Sequence, residues 1–238
     1  MKRSSIGRPF AVTGKARTRH AGAVISINFC RRGLRSKKVE HYPALPYSEI
    51  GDFIEGLRGH EGIATRALEF LILTAARTGE IIGAQWNEID LPEKVWVVPE
   101  ERMKAGRAHR VPLSAAALGI LKQMNEIREG DFVFPGGKKA RPLSNMAMLA
   151  VLKRMDRGDL TVHGFRSTFR DWAAEQTSFP REVVEMALAH TIESKVEAAY
   201  RRGDLFQKRR QLMETWAKFC TAVAVSKTAN VVLIAAAE

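Results

Sequence analysis

Residues 161–175, TVHGFRSTFRDWAAE, set Phe165, Phe169 and Trp172 at helical spacing and place His163 and Arg166 three positions apart. Side chains three apart share a helix face. The stretch therefore predicts a helix with an imidazole and a guanidinium side by side and its aromatic residues turned to a core. The same periodicity extends in both directions. Upstream, Ile50, Phe53, Ile54 and Leu57 predict one helix, and Leu68, Leu71, Ile72 and Ala75 predict a second that delivers Arg77 at its C-terminal end. Thr78-Gly79-Glu80 then turns the chain into a short helix ending near Trp86. Val95–Val98 and His109–Leu113 are β-rich runs joined by a polar connection containing Gly106, which predicts a hairpin with Lys104 on or beside its turn. Ser114 and Ser144 are expected to cap two further helices. Downstream, Pro180 opens a helix through Val183, Val184, Ala187 and Leu188 that is expected to end at His190, and a short helix is expected to reach Tyr200. Leu205, Leu212, Trp216 and Phe219 mark the last long helix. The expected fold class is mainly α with a small antiparallel β-sheet.

The 238 residues are 45% hydrophobic, enough to bury an ordinary core in one sizeable domain or two small ones. The formal charge of +12 favours a polyanionic partner. Its distribution matters more than its size: residues 1–40 hold eleven Lys and Arg against the single acid Glu40, so +10 of the +12 sits there. The remaining cations must be judged by position. The chain is read as a basic, flexible extension over 1–40, a catalytic domain over 41–220, and a tail over 221–238. In that tail ANVVLIAAAE (229–238) is a strand candidate for a sheet edge in this molecule or a neighbour. Cys30 and Cys220 stand in no metal-ligand spacing, and no apolar run approaches the ~20 residues of a membrane span. A cytoplasmic setting fits, with no membrane partner.

Arg77, Lys104, His163, Arg166, His190 and Tyr200 form an ordered set without a matching carboxylate pair, and that set suits a phosphodiester. Breaking such a bond without metal needs a nucleophile, charge stabilisation on the non-bridging oxygens and a proton for the leaving alkoxide. Tyr200 is the candidate nucleophile. Arg77 and Arg166 suit the phosphate because a guanidinium gives paired, charge-assisted hydrogen bonds to two oxygens. His163 can accept the tyrosyl proton or donate a hydrogen bond. Lys104 is the candidate general acid, and His190 completes the ring around the phosphate.

The order Arg77, Lys104, His163-x-x-Arg166, His190, Tyr200 resembles the catalytic hexad of the tyrosine recombinases, the phage integrase family. The surrounding text resembles integrases of the satellite-phage and genomic-island type: AARTGEIIGAQWNEIDL, VWVVPEERMKAGRAHRVPLS, TVHGFRSTFRDWAAE and LAHTIESKVEAAYRRGDLFQKRRQLMETWAKF. The likeness runs over about residues 40–220. It implies the DNA breaking-rejoining fold, cleavage through a 3′-phosphotyrosine, strand exchange through a Holliday junction in integration or excision of a mobile element, and no cofactor or metal. The implied partners are double-stranded DNA, further protomers in a tetramer on DNA, and accessory DNA-bending or directionality proteins. The implied location is the cytoplasm, nucleoid-associated when on DNA. Relatives carry arm-binding and core-binding domains ahead of the catalytic one, whereas a short basic segment precedes Pro43 here, which reads as a truncation or displaced start. Gly83 stands where relatives often have a larger or charged residue.

Taken singly, each member has an ordinary reading: a helix-end arginine capping carbonyls, a turn lysine, a solvated His-x-x-Arg pair, an amphipathic tyrosine. Order and spacing together favour the site. Lys138, Lys139 and Arg141 in the PGGKKARP loop, and Arg201 and Arg202 beside Tyr200, are secondary candidates for DNA contact. Lys208, Arg209 and Arg210 are expected to meet water, His109 to be exposed, Glu80 to order Arg77, and the four tryptophans to lie in the core. Two other functions fit the same residues: a DNA-binding integrase remnant that does not recombine, and a stand-alone strand-passing enzyme of the topoisomerase kind.

Overall fold

The computed structural model describes residues 43–137, 141–190 and 203–222. Among them are eight α-helices: α1 Ile50–Arg58, α2 Ile63–Thr74, α3 Thr78–Ile82, α4 Ala115–Glu126, α5 Ala147–Arg154, α6 Gly164–Gln176, α7 Arg181–Ala187 and α8 Phe206–Thr221. Three short strands, β1 Ile89–Asp90, β2 Val95–Val98 and β3 His109–Pro112, form an antiparallel sheet in that order. The expected mainly helical fold with a small sheet is what is found. β1, two residues long, has no period for the sequence to reveal. The helix expected to reach Tyr200, the strand at 229–238 and the 1–40 extension lie outside the described residues, as do Lys138, Lys139, Tyr200, Arg201 and Arg202.

Helix α2 is the axis of the packing. Ala67 through Thr74 are all buried, as expected of a helix apolar nearly all round, and α1, α3, α4, α5, α6 and α8 all pack on it. Its buried Glu69 is paired with Arg58 at 2.7 Å and Arg66 at 3.2 Å. On α8, Trp216 packs 4.8 Å from Trp172 and 5.5 Å from Phe169 between ring centroids. Its indole N–H donates to the Ile72 carbonyl at 2.8 Å, which also accepts the Ala75 N–H at the end of α2. All four tryptophans are buried, as their apolar neighbours suggested.

Three expectations about helix ends are corrected. Arg77 does not end α2: Ala75 turns left-handed (φ 50°) and stops that helix, and Arg77, extended at φ −84°, ψ 152°, is the N-cap of α3. Ser144 does not cap α5 with its hydroxyl, because a turn through Asn145 and Met146 intervenes; its carbonyl accepts the Ala147 N–H at 3.0 Å instead. α7 stops at Ala187 because Ala189 is left-handed (φ 49°), which leaves His190 beyond the helix. Ser114 does cap α4, accepting the Ala117 N–H at 3.3 Å.

Gly164 explains how α6 is seated. A Cβ there would lie 2.2 Å from the Pro43 carbonyl oxygen and 3.0 Å from the Ala44 Cα, so any larger residue forces backbone apart. Thr168 Oγ1 donates to the Leu45 carbonyl at 2.6 Å and Thr161 Oγ1 to that of Pro43 at 3.2 Å, so the entering chain is tied to the helix that carries Arg166. At Gly83 the close neighbour is a side-chain tip: a Cβ would fall 2.4 Å from Arg102 Nη1, so a larger residue displaces the group that donates to the Glu80 carbonyl at 3.1 Å.

Arg209, expected in water, is 1% exposed. Phe206, Arg209, Met213, Trp216 and Cys220 repeat at three- and four-residue steps, which puts the arginine on the inward stripe of α8. Its guanidinium donates to the Asp204 carbonyl (2.7 Å), the Asp204 carboxylate (2.8 Å) and the Arg110 carbonyl on β3 (2.6 Å). Arg209→Ala strands these acceptors and is expected to destabilise the protein by about 3 kcal/mol, read as a lower midpoint in denaturant unfolding. Arg209→Lys, which can restore only part of the fork, should recover only part of the loss.

Candidate active site

The site is assembled by two left-handed alanines at helix ends. At the end of α2, Ala75 aims its carbonyl at Arg166, which donates Nη1 to it. At the end of α7, the N–H of Ala189 bonds the Met186 carbonyl (3.1 Å) and that of His190 the Glu185 carbonyl (3.0 Å), the paired bonds of a Schellman turn. That turn presents the carbonyls of Leu188 and Ala189 to the arginines. Leu188 O accepts Arg166 Nη2 at 2.6 Å and Arg77 Nη2 at 3.3 Å, and Ala189 O accepts Arg77 Nη2 at 3.1 Å. One backbone oxygen thus gathers two guanidiniums from residues far apart in sequence.

Around this hub each side chain has a fixed partner. Glu80 receives the Arg77 backbone N–H at 2.9 Å and its Nη1 at 2.8 Å, holding both ends of the residue as expected. Arg166, 5% exposed, turns Nη2 toward His190 Nε2 at 3.3 Å. Burial, then the Arg77 charge, push Arg166 down to about 10, so it remains a cation at neutral pH. His163, exposed at the start of α6, is pushed below its ordinary value by partial burial and then by the charges of Arg166, Arg77 and His190, which favours the neutral ring. The structure therefore brings Arg77 and Arg166 onto one carbonyl oxygen and His190 against Arg166, with His163 in their field. Lys104 is exposed on the β2–β3 connection, in a turn closed by the Gly106 N–H on the Met103 carbonyl (3.0 Å), with Met103 buried beneath it. Arg141 is exposed at the base of its loop, where its carbonyl accepts the Gly136 N–H at 2.8 Å.

His109 corrects an expectation of exposure. Its register opposite Val98 puts it on the sheet face of Trp96, Val98 and Val111, half-buried, with its ring hydrogen-bonded to the Ala187 backbone. Alternation from Val111 carries that signal in the sequence. Burial, then the Arg209 charge, lower His109 from 6.5 to about 4. Because the folded value is the lower one, the unfolded chain takes up its proton first as pH falls. Stability should therefore be whole above about pH 6.5 and decline towards pH 4 by up to roughly 3 kcal/mol. Unfolding midpoints across that window should show the decline in the wild type and a flatter profile in His109→Gln.

The model of the Phage integrase family matches residues 48–205. The chain belongs to the phage integrase family. Prophage integrase IntA of Escherichia coli K12 is 35% identical over 205 residues, covering 84% of this chain and 49% of the relative. The integrase of Enterobacteria phage P4 is 30% identical over 206 residues, covering 78% and 47%. The chain thus spans about half the length of the curated relatives it matches. Among solved structures, a lambda integrase (75–356) dimer bound to a COC' core site superposes with a TM-score of 0.53 at 20% identity, over 66% of this chain and 61% of that one. A lambda integrase tetramer bound to a Holliday junction gives 0.51 at 19% identity, over 67% and 50%. This phage integrase family chain therefore has the tyrosine recombinase catalytic-domain fold, as the motifs led one to expect.

Sequence reasoning passed over Glu185 and the Leu188 carbonyl. A helical glutamate among other charges carries no signal of its own, and a backbone acceptor carries none at all.

Proposed function

We propose that the chain is the catalytic part of a site-specific DNA recombinase that cleaves and rejoins DNA through Tyr200. The observation that carries this reading is the convergence of Arg77 and Arg166 on the Leu188 carbonyl oxygen, with His190 against Arg166, in a chain of this family. Where that neutral oxygen gathers two guanidiniums, a non-bridging phosphate oxygen, carrying full negative charge, is a stronger acceptor for the same fork. Tyr200 attacks the phosphorus, His163 takes the phenolic proton, and the P–O bond to the 5′-oxygen breaks to leave a 3′-phosphotyrosyl ester. Lys104 gives its proton to the departing 5′-oxygen. Attack by a 5′-hydroxyl on the ester reverses each transfer and reseals a strand.

Arg77 and Arg166 stabilise the charge of the pentacoordinate state, each donor contributing on the order of 3 kcal/mol if held in place beforehand. The Leu188, Ala75 and Ala189 carbonyls and Glu80 provide that holding. A histidine kept neutral, as His163 is, has the lone pair a base requires. Arg141, with Lys138, Lys139, Arg201 and Arg202, is assigned to phosphates flanking the cleavage point. Double-stranded DNA and further protomers are the partners of this reading, in keeping with the dimeric and tetrameric DNA complexes of lambda integrase. Residues 41–220 are its catalytic domain, in the cytoplasm.

The test is a pool of nicked duplexes randomised around the nick, from which a cleaving enzyme is trapped as a covalent adduct. Adduct formation on a defined sequence supports recombination. Binding without adduct at any sequence means a DNA-binding remnant, and relaxation of supercoiled plasmid without recombinant product means a topoisomerase-like enzyme.

A further inference from the structure

Glu185, on α7, holds His190 twice. Its carbonyl accepts the His190 backbone N–H at 3.0 Å and its carboxylate Oε2 meets His190 Nδ1 at 2.5 Å. The other oxygen, Oε1, faces the guanidiniums of Arg170 (3.2 Å, from α6) and Arg181 (3.8 Å, from α7). On its far side the imidazole presents Nε2 to Arg166 Nη2 at 3.3 Å. A guanidinium nitrogen can only donate and a carboxylate can only accept. The tautomer is thereby settled: Nδ1 carries the proton toward Glu185, and Nε2 faces Arg166 with its lone pair.

That arrangement creates a problem for binding an oxyanion, and Glu185 answers it. A lone pair on Nε2 repels a phosphate oxygen, and turning the ring over would break the 2.5 Å contact. The remaining route is a second proton on Nε2. We infer that Glu185 is a positioning residue for His190, serving as the counter-ion that lets the ring take up a proton as the phosphate oxygen arrives, so that Nε2–H donates to it. The proton comes from solvent, no bond between heavy atoms changes, and the imidazolium ends between two anions, carboxylate and phosphate. The charged groups facing the ring are Arg166 from α6, Arg77 from the α2–α3 junction, His163 and Glu185; Glu185 and the arriving phosphate are the anions that offset the others. Burial raises the Glu185 carboxyl, but the hydrogen bond from His190 and the charges of Arg170 and Arg181 outweigh it and keep the group ionised.

This rests on the reading that the cluster binds a phosphodiester, and the test separates the two. Isothermal titration calorimetry of the whole chain with duplex DNA, in buffers of different ionisation enthalpy at pH 8, counts protons taken up on binding. The wild type should take up about one proton, and Glu185→Gln, which keeps an acceptor for Nδ1–H but no charge, close to none. His190→Asn should also take up none, and adding Glu185→Gln to it should change nothing further. In the cleavage assay, Glu185→Gln should approach the wild-type rate at pH 6 and fall about tenfold behind by pH 8. Proton uptake unchanged in Glu185→Gln, or a rate lowered equally at every pH, would overturn the inference. Absence of any adduct from the wild type would instead sink the cleavage reading, while the proton count still decides the role of Glu185.

Discussion

Arg166→Lys is expected to slow covalent adduct formation by about two orders of magnitude, since losing one pre-positioned donor to a developing oxyanion costs about 3 kcal/mol. Lysine keeps the charge, so the loss isolates geometry. The guanidinium donates Nη1 to the Ala75 carbonyl and directs Nη2 to both Leu188 O and His190 Nε2, spanning the ends of α2 and α7 as one flat plate. A single ammonium can reach one of these places but cannot tie both helix ends. The buried Ala75 carbonyl then lacks its donor, and about 1–3 kcal/mol of stability should be lost with it. Measuring single-turnover adduct formation beside the unfolding midpoint separates the two losses: a rate that falls only in proportion to unfolded protein would contradict the assignment.

How far the sequence revealed this arrangement differs from residue to residue. The aromatic stripe of α6, the hairpin and the buried tryptophans follow from periodicity, because burial acts on side chains at fixed angular steps. Arg209 obeys the same rule: its charged neighbours Lys208 and Arg210 point to water, but the stripe from Phe206 to Cys220 places it inside. His109 could likewise have been read from its alternation with Val111. The left-handed turns at Ala75 and Ala189 could not, since alanine gives no sign of φ > 0 and tertiary bonds from the arginines stabilise the conformation. The need for Gly164 also arises outside its own helix, from the Pro43 carbonyl lying against it. The order of Arg77, His163, Arg166 and His190 was legible, but the Leu188 carbonyl that gathers the two arginines was not, because sequence patterns do not record backbone acceptors.

Tyr200→Phe removes one oxygen atom and should abolish covalent chemistry outright while leaving DNA binding intact, because no other group in the assigned set supplies the attacking oxygen. The position follows His190 by ten residues and precedes by four the Asp204 that Arg209 and Arg110 bind, so both flanks of its segment are anchored to described structure. Removing the hydroxyl should leave those anchors, and therefore the fold, undisturbed. The decisive measurement is the denaturing-gel assay of protein–DNA adduct on the trapped duplex, with wild type and Tyr200→Phe compared at equal occupancy. The account predicts an adduct in the wild type, mapped by peptide sequencing to residue 200, and none in the variant; an adduct of undiminished yield in Tyr200→Phe would contradict it.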